Sequence, residues 1–519
     1  MTGGEANGAA AGGSTGATGA ASATGATSTA GATGAAGERH VVVGAGPAGL
    51  TAGWQLARLG RRVLVLEADD ELVGGLARTH AWDELRYDIG PHRFYTKSAA
   101  VQRLWKAMLP GQFVEVSRLT RVYYERRFYP YPLRLGETLS NFGAWRAVRA
   151  GGSFVAARVR PRSPEVSFED WAVNRFGRHL YEAFFRTYTE KVWGVPCAEI
   201  HKDWAAQRIR GLSLLELVRN ALPGRKREVK SLIERFDYPR LGAGQMWEAA
   251  RDEVQRRGGE VRLGARVVTL RHAGGAITEA VTADGARHAG SHFHLTLTLK
   301  DFVEALDPPP PPEILAAGRA LRHRDFMTVA LIVPRAGLFP DQWIYVHDPQ
   351  VGVARITNYA NWSAELSPAG RTVLGMEYFC AAGAPPWSLP DEEIVALASR
   401  ELHAIGLSPD PRPRPGRVHR SLDAYPVYDG TYREHRETLK AWIAGALRNA
   451  FPAGRKGLHN YNSQDHAMMS ATLNVRNATE GAAFDPWSVN TEQEYAEEGE
   501  VRAEIEERLV PRRVGGGGA

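Results

Sequence analysis

Residues 39–53 read Arg-His-Val-Val-Val-Gly-Ala-Gly-Pro-Ala-Gly-Leu-Thr-Ala-Gly, and Arg62-Val-Leu-Val-Leu-Glu67 follows one helix length later. No other stretch of the chain constrains its fold as tightly. A β-branched apolar run ends in Gly44-x-Gly46-x-x-Gly49, an amphipathic segment runs from Pro47 and Ala48 to Gly60, and a second apolar run ends in an acid. The spacing predicts a strand–helix–strand unit that binds a dinucleotide. The first glycine permits the tight turn, the second admits a pyrophosphate to the backbone, and the third lets helix and strand pack closely. The helix N-terminus offers unpaired N–H groups and a positive dipole end to phosphate. Glu67 closes the second strand, where an acid meets a ribose hydroxyl.

The next segment extends that site. Val73-Gly-Gly-Leu-Ala-Arg78 carries Gly74, Gly75, Leu76 and Arg78 directly after the unit. The glycine pair permits close backbone approach, and a guanidinium can neutralise a phosphate through two parallel bonds. The same residues also read as an ordinary turn. Tyr87-Asp-Ile-Gly90-Pro-His92 follows.

Farther on, Tyr123–Pro132 is strand-like, and from Leu135 to about Leu222 the apolar and aromatic residues recur at helical spacing. Phe168-Glu-Asp-Trp171 reads as a helix start, and Tyr181–Trp193 as one aromatic-rich helix. Gly242-Ala-Gly244 lacks a third glycine and reads as a helix-entry turn. Glu260–Leu270 and Ala276–Ala283 alternate like two arms of a hairpin, and His294–Leu299 reads as a strand. Pro308–Pro312 is a stiff linker, and residues 325–380 and 418–430 supply a second sheet. Asp465 is expected to cap a helix running to Ala478.

Bulk properties narrow the function classes. The 519 residues suffice for two large or interleaved domains, and 44% hydrophobic with 24% charged residues is ordinary for a globular enzyme. A net charge of +6 gives no reason to invoke nucleic acid and suits a site for anionic phosphates. Cys197 and Cys380 are the only cysteines, which excludes a disulfide framework and fits a reducing cytoplasm. No metal site is expected. Residues 1–37, almost all Gly, Ala, Ser and Thr, read as a disordered tail without a signal peptide, and no run is apolar enough for an integral membrane segment.

The fingerprint, the Gly74–Arg78 loop and the late Asp465 segment together resemble the FAD-dependent superfamily of amine oxidases, protoporphyrinogen oxidase, phytoene desaturases and UDP-galactopyranose mutase. Asp88-Ile-Gly-Pro-His92, Phe128-Tyr-Pro-Tyr-Pro132, Tyr188-Thr-Glu-Lys-Val-Trp193, Trp204-Ala-Ala-Gln-Arg208, Arg355-Ile-Thr-Asn-Tyr359, Asp423-Ala-Tyr425-Pro and Asn460-Tyr461-Asn-Ser-Gln-Asp465-His466 are similar, in order and spacing, to eukaryotic-type mutases. The resemblance implies an α/β fold: a Rossmann-like FAD-binding domain of the glutathione-reductase type, an interleaved helical subdomain and a mixed-sheet substrate domain. The expected division is 38–100, 238–310 and 450–485 for FAD, 101–237 for the helical part, 311–449 for the substrate sheet and 486–519 for a C-terminal extension.

The same resemblance implies residue roles. FAD would contact the fingerprint and Gly74–Arg78 residues together with Gly90, His92, Val267, Asp465, His466 and Met468. Arg208 and Arg355 would hold the diphosphate of a nucleotide-sugar, helped by Tyr425 and Tyr461, with Asn220 and Asn358 as further substrate contacts. His92 would face the flavin. Taken singly, Arg208 reads as an ion-pair partner and the two tyrosines as core residues; their ordered co-occurrence carries the functional reading. The implied activity is redox-neutral interconversion of sugar ring forms through a reduced-flavin N5 adduct, with NAD(P)H or another reductant as partner. The alternative is an oxidoreductase that transfers hydride from substrate to flavin.

Overall fold

The computed structural model describes residues 38–131, 143–202, 234–334, 338–367 and 370–489. The expectations for the 1–37 tail, for Trp204, Arg208 and Asn220, and for the end of the chain from 490 onward lie outside those residues.

The first apolar runs form β1 (Arg39–Val43) and β2 (Arg62–Leu66), joined by α1 (Pro47–Arg58). Both strands are buried on both faces, so they read as continuous apolar runs rather than alternating ones. They lie in a five-stranded parallel sheet completed by β9 (Glu260–Arg262), β13 (His292–Leu295) and β20 (Ala450–Pro452), in the order β20-β13-β1-β2-β9. The nucleotide sheet is thus assembled from three distant parts of the chain. One face carries α1, α7 (Gly244–Arg256) and α13 (Gln464–Glu480), with Trp54, Trp105 and Trp247 in the shared core. Trp247 is fully buried, and its Nε1 donates to Gln464 Oε1 at 3.0 Å.

A small sheet orders β12 (Arg287–Ala289), β11 (Ala276–Thr282), β10 (Val267–Ala273) and β14 (Leu306–Asp307) side by side. The expected hairpin arm Glu260–Leu270 is divided. Its first three residues form β9 and pair parallel with β2, whereas 267–273 pair with β11. Gly264, at φ +66°, makes the break, and its N–H donates to Asp69 O at 2.8 Å. The strand expected at His294–Leu299 stops at Leu295, because Thr298 Oγ1 accepts from Asp301 N and caps α8 (Leu299–Glu304). The proline run leads straight into α9 (Pro312–Ala320), with Pro312 at the first helical position.

The second sheet has seven strands in the order β19 (Gly416–Pro426), β15 (His323–Pro334), β18 (Arg371–Cys380), β17 (Arg355–Asn358), β16 (Trp343–Val346), β6 (Thr120–Tyr124) and β7 (Arg127–Pro130). It is mixed, since β16 and β6 run parallel while the other neighbours are antiparallel. The helical region includes α3 (Ala144–Val159), α4 (Phe168–Phe176), α5 (Arg178–Tyr181) and α6 (Thr187–Trp193). Ser167 and Asp170 cap α4 reciprocally. The single helix expected over Tyr181–Trp193 is interrupted by a π-turn at Glu182–Arg186. Strands β5 (Phe113–Ser117) and β8 (Arg235–Pro239) pair where the chain returns toward α7, and Gly244 opens that helix as the turn reading expects.

Several imidazoles are buried. His40 stacks on His292 with ring centroids 4.5 Å apart, and its Nδ1 lies 3.3 Å from His294 Nε2. Burial, then the neighbouring His292 and Arg61 charges, brings the His40 pKa down to about 3. Burial also holds His294 well below the ordinary histidine value. Below pH 6.5 the unfolded chain takes up protons that these folded imidazoles refuse, so stability is full above pH 6.5 and falls as pH drops toward 3, by about 1.4 kcal/mol per pH unit for each such group. Urea midpoints measured from pH 7.5 to pH 5 are expected to fall, and His294→Phe is expected to make the fall shallower. An unchanged midpoint in the wild type contradicts the buried-neutral assignment.

Candidate active site

The nucleotide cradle begins with the turn after β1. Gly44 has φ +97°, and its N–H donates to Leu66 O at 2.8 Å. A Cβ on Gly49 would stand 1.8 Å from Gly44 O, so the helix packs on the turn only with hydrogen there. A Cβ on Gly46 would lie 3.7 Å from Gly75 Cα, so the fingerprint and the Gly74–Gly75 loop face each other backbone to backbone. Gly46 caps α1 without a side-chain acceptor, and Pro47 stands at N1. The first-turn N–H groups, including those of Ala48 and Gly49, therefore have no side-chain cap.

Glu67 is held at the end of β2, accepting from Ala45 N at 2.5 Å and from Asp69 N at 3.0 Å. The chain returns beside it through Ala265, whose N–H donates to Glu67 O at 2.7 Å, and Val267 lies two residues farther on. Gly74 and Gly75 both have positive φ, as a turn with no room for side chains requires. Arg78 is engaged at home, ion-paired with Asp69 and donating from Nε to Gly75 O at 2.7 Å; Leu76 packs against the aromatic cluster of the helical region.

At the other end of the cradle, His92 Nδ1 is buried without a partner among the described residues. Burial, reinforced by the Arg455 and Arg355 charges, lowers the His92 pKa to about 3, so the ring is neutral. Gly90 makes room for it, since a Cβ there would lie 3.3 Å from His92 Cε1. Helix α13 starts one turn from Tyr461. Its N-cap is Ser463 rather than the expected Asp465, because the Ser463 side chain accepts from the His466 backbone N–H while Ser463 N–H donates to His466 Nδ1 at 3.2 Å. Asp465 occupies the second helical position, accepting from Ser463 Oγ at 2.6 Å, and the helix runs past Ala478 to Glu480. Met468 is fully buried, and its Sδ accepts from Trp105 Nε1 at 3.0 Å.

The uncapped helix start, the two facing glycine turns and the unpartnered His92 nitrogen fit a dinucleotide laid from Glu67 toward His92.

A second group of residues gathers beside His92. Arg355 on β17 is bonded through Nε and Nη2 to Glu377 on β18, with Nε 2.9 and 2.8 Å from the two carboxylate oxygens. Nη1 has no protein partner among the described residues. Burial raises the Glu377 pKa and opposes the charge on Arg355, while the pairing holds Arg355 charged; the bidentate geometry keeps both ionised. Tyr425 on β19 and Tyr461 stack with centroids 5.5 Å apart, and the Arg455 guanidinium lies 5.1 Å from each ring. Burial and the neighbouring Tyr461 raise the Tyr425 pKa, so its hydroxyl remains a donor. Trp193 stands over Tyr461 at 5.8 Å, and Tyr188 stacks on His347 and meets Tyr345 edge-on.

His92, Arg355, Tyr425 and Tyr461 are thus brought together. Asn358 is not. Strand alternation turns it, with Ile356, to the face opposite Arg355, where its amide bonds Phe339 O and Ala360 N. Glu377, Arg455 and Tyr188 escape the sequence reading. Glu377 had a signal, as the lone acid in Leu374-Gly-Met-Glu-Tyr-Phe379, because a charge buried in a strand demands a partner. Among the described residues there is no cluster of metal-ligating side chains and no helix long and apolar enough to cross a membrane.

Residues 42–108 match the NAD(P)-binding Rossmann-like domain family. A probable UDP-galactopyranose mutase from Klebsiella pneumoniae is 30% identical over 175 residues, 31% of this chain and 42% of that protein, so the match spans less than half the relative's length. A Crotalus adamanteus L-amino-acid oxidase is 45% identical over 69 residues, 13% of each. A crystal structure of reduced UDP-galactopyranose mutase superposes with a TM-score of 0.77 at 18% identity, covering 88% of this chain and 97% of that one. A putrescine oxidase bound to putrescine gives 0.58 at 16% identity, with 85% and 99% covered.

Gly49→Ala is expected to reduce the bound dinucleotide of the purified protein to about a tenth or less, because the added carbon meets Gly44 O. Gly151→Ala, which meets nothing within 4 Å, serves as the control and retains it. Full cofactor content in Gly49→Ala, read from its visible absorbance, contradicts the cradle. The chain thus carries an NAD(P)-binding Rossmann-like domain and shares its fold with UDP-galactopyranose mutase and putrescine oxidase.

Proposed function

We propose that the protein binds FAD and interconverts ring forms of a nucleotide-sugar, as a mutase-like isomerase. The observation that carries this reading is Arg355, locked by Glu377 through two of its nitrogens, with its charge felt by Tyr425, on which Tyr461 stacks. A fixed guanidinium with phenolic donors binds a diphosphate without presenting a base to the sugar.

FAD, held by the glycine cradle with its flavin toward His92, would supply the nucleophilic ring nitrogen when reduced. The chain's own residues do the rest. Arg355, with Arg455 behind the tyrosine pair, stabilises the negative charge that grows on the departing diphosphate and keeps it close for return. Trp193 and Tyr188 wall the chamber and exclude water. His92, neutral, offers Nδ1 as a hydrogen-bonding partner rather than a charge. Arg208 and Asn220 would add substrate contacts from outside the described residues, and NAD(P)H or another donor would set the flavin reduced.

The alternative is an oxidoreductase, and its support is the aromatic wall of Trp193, Tyr425 and Tyr461. Glu377 already neutralises Arg355, but Arg455, bonded to two carbonyls and to no carboxylate among the described residues, weighs against a cationic amine there. At about 4 Å, in the effective dielectric of a protein surface, one like charge costs about 4 kcal/mol.

With chemically reduced enzyme and UDP-galactopyranose, ring isomerisation without oxygen consumption is expected. Arg355→Lys, which still pairs with Glu377 but lacks the planar fork, is expected to lose about 100-fold in turnover while retaining FAD. Oxygen consumption with an amine, and no reaction with nucleotide-sugars, sinks the proposal.

A further inference from the structure

Helix α3 has two apolar faces. Ala150 and Ala157 are buried on the side that packs against α4 and α5. On the opposite side Trp145, Val148, Val155 and Val159 are 72%, 67%, 59% and 72% exposed. At about 100° per residue these four fall within about 80° of arc, roughly half a turn away from the Ala150–Ala157 ridge. The stripe runs the full 16 residues of the helix, about 24 Å. Single apolar residues on a surface are unremarkable, but an aligned row of this length marks a docking surface.

The charges beside the stripe indicate what it meets. Between Gly143 and Pro164 the chain has five arginines and no Asp or Glu. Arg146 pairs with Glu125, and Arg162 pairs with Glu169 and Asp170. Arg149, Arg158 and Arg160 have no carboxylate partner among the described residues. Arg149 stands about 80° to one side of the stripe's centre and Arg158 about 100° to the other. A second copy of this helix would set arginine against arginine on both flanks. An occupant that takes both the apolar row and its flanks must be apolar beneath and anionic above, which is the layering of a bilayer with acidic headgroups. Tryptophan favours that boundary, and Trp145 stands at one end of the row.

We propose that α3 docks the protein on an anionic lipid surface. The Trp145–Val159 stripe enters the acyl boundary, and Arg149, Arg158 and Arg160 meet the headgroup phosphates. Gly151 and Gly152 interrupt the apolar row, so the apolar contribution alone is small and binding depends on charge as well. Docking is therefore reversible and weakened by salt.

The test is cosedimentation of the full chain with phosphatidylcholine vesicles, with and without about a third phosphatidylglycerol. Binding to the anionic vesicles at low salt, release at high salt and little binding to neutral vesicles are expected. Val155→Asp/Val159→Asp and Arg149→Glu/Arg158→Glu alter exposed side chains, so each is expected to keep its fold and cofactor yet bind at least about tenfold more weakly. The proposal is overturned if the wild type stays in solution with anionic vesicles, if both variants sediment like the wild type, or if Val155→Asp/Val159→Asp merely converts a wild-type dimer to monomer.

Discussion

Asp88 ties the entry of helix α7, through its carboxylate, to the turn after β17 of the second sheet, through its backbone carbonyl. It is fully buried and accepts from Thr79 Oγ1 at 2.6 Å, Tyr238 OH at 2.6 Å and Ala243 N at 3.2 and 3.3 Å, while its backbone carbonyl accepts from Tyr359 OH. These donors come from β3 (Thr79–Trp82), from β8, from the entry to α7 and from the turn after β17. Burial pushes the Asp88 pKa up to about 7 against the pull of its donors. Such a group is costly unless every bond is made, so the network admits one arrangement of these segments. Ile89, Gly90 and His92 follow directly, and Thr328 of β15 pins Ile89 O at 2.6 Å. The position of His92 against the second sheet therefore follows from Asp88 and Thr328.

The same economy governs the chamber beyond. Arg355 is 14% exposed at its side chain and Glu377 is fully buried, so the pair is held as much by the cost of separating it as by its own attraction. Its worth to the protein is orientation. A guanidinium fixed at two nitrogens has one nitrogen left for a ligand, and Tyr425, stacked on Tyr461, lies close enough to feel its charge. Arg455 is fixed in another way, by bonds to Asn462 O and Ala424 O and by the two rings it covers. Both cations are thus set before any substrate arrives, which is what electrostatic catalysis of charge separation needs.

Local features were legible in the sequence, and features that depend on distant partners were not. The β1–α1–β2 unit with Glu67 is written within 29 residues, and strand burial, glycine spacing and the terminal acid agree with one another. A second sheet over 325–380 and 418–430 is legible in its strand-like runs, but its mixed character is implied only by the resemblance, and β6 and β7 join it from outside those ranges. The Glu260–Leu270 arm misled because its alternation is the same whether it pairs with β2 or with β11, and only Gly264 marks the switch. Asp465 reads as a cap because it precedes an apolar stretch, whereas Ser463, two residues before it, and His466, directly after it, form the capping box. Glu377 and Arg455 were missed because each matters only through a partner on another element, and Asn358 was drawn in by a motif whose alternate positions face opposite ways.

The central claim is that the chamber beside His92 is an anion clamp. Thermal unfolding of the flavin-loaded protein in the presence of UDP, and separately of a diamine, tests it most directly. The account predicts a melting temperature that rises with UDP concentration, by about 2.7 kcal/mol of added stability at a hundredfold excess over Kd, and no response to the diamine. Stabilisation by the diamine with none by UDP would contradict it.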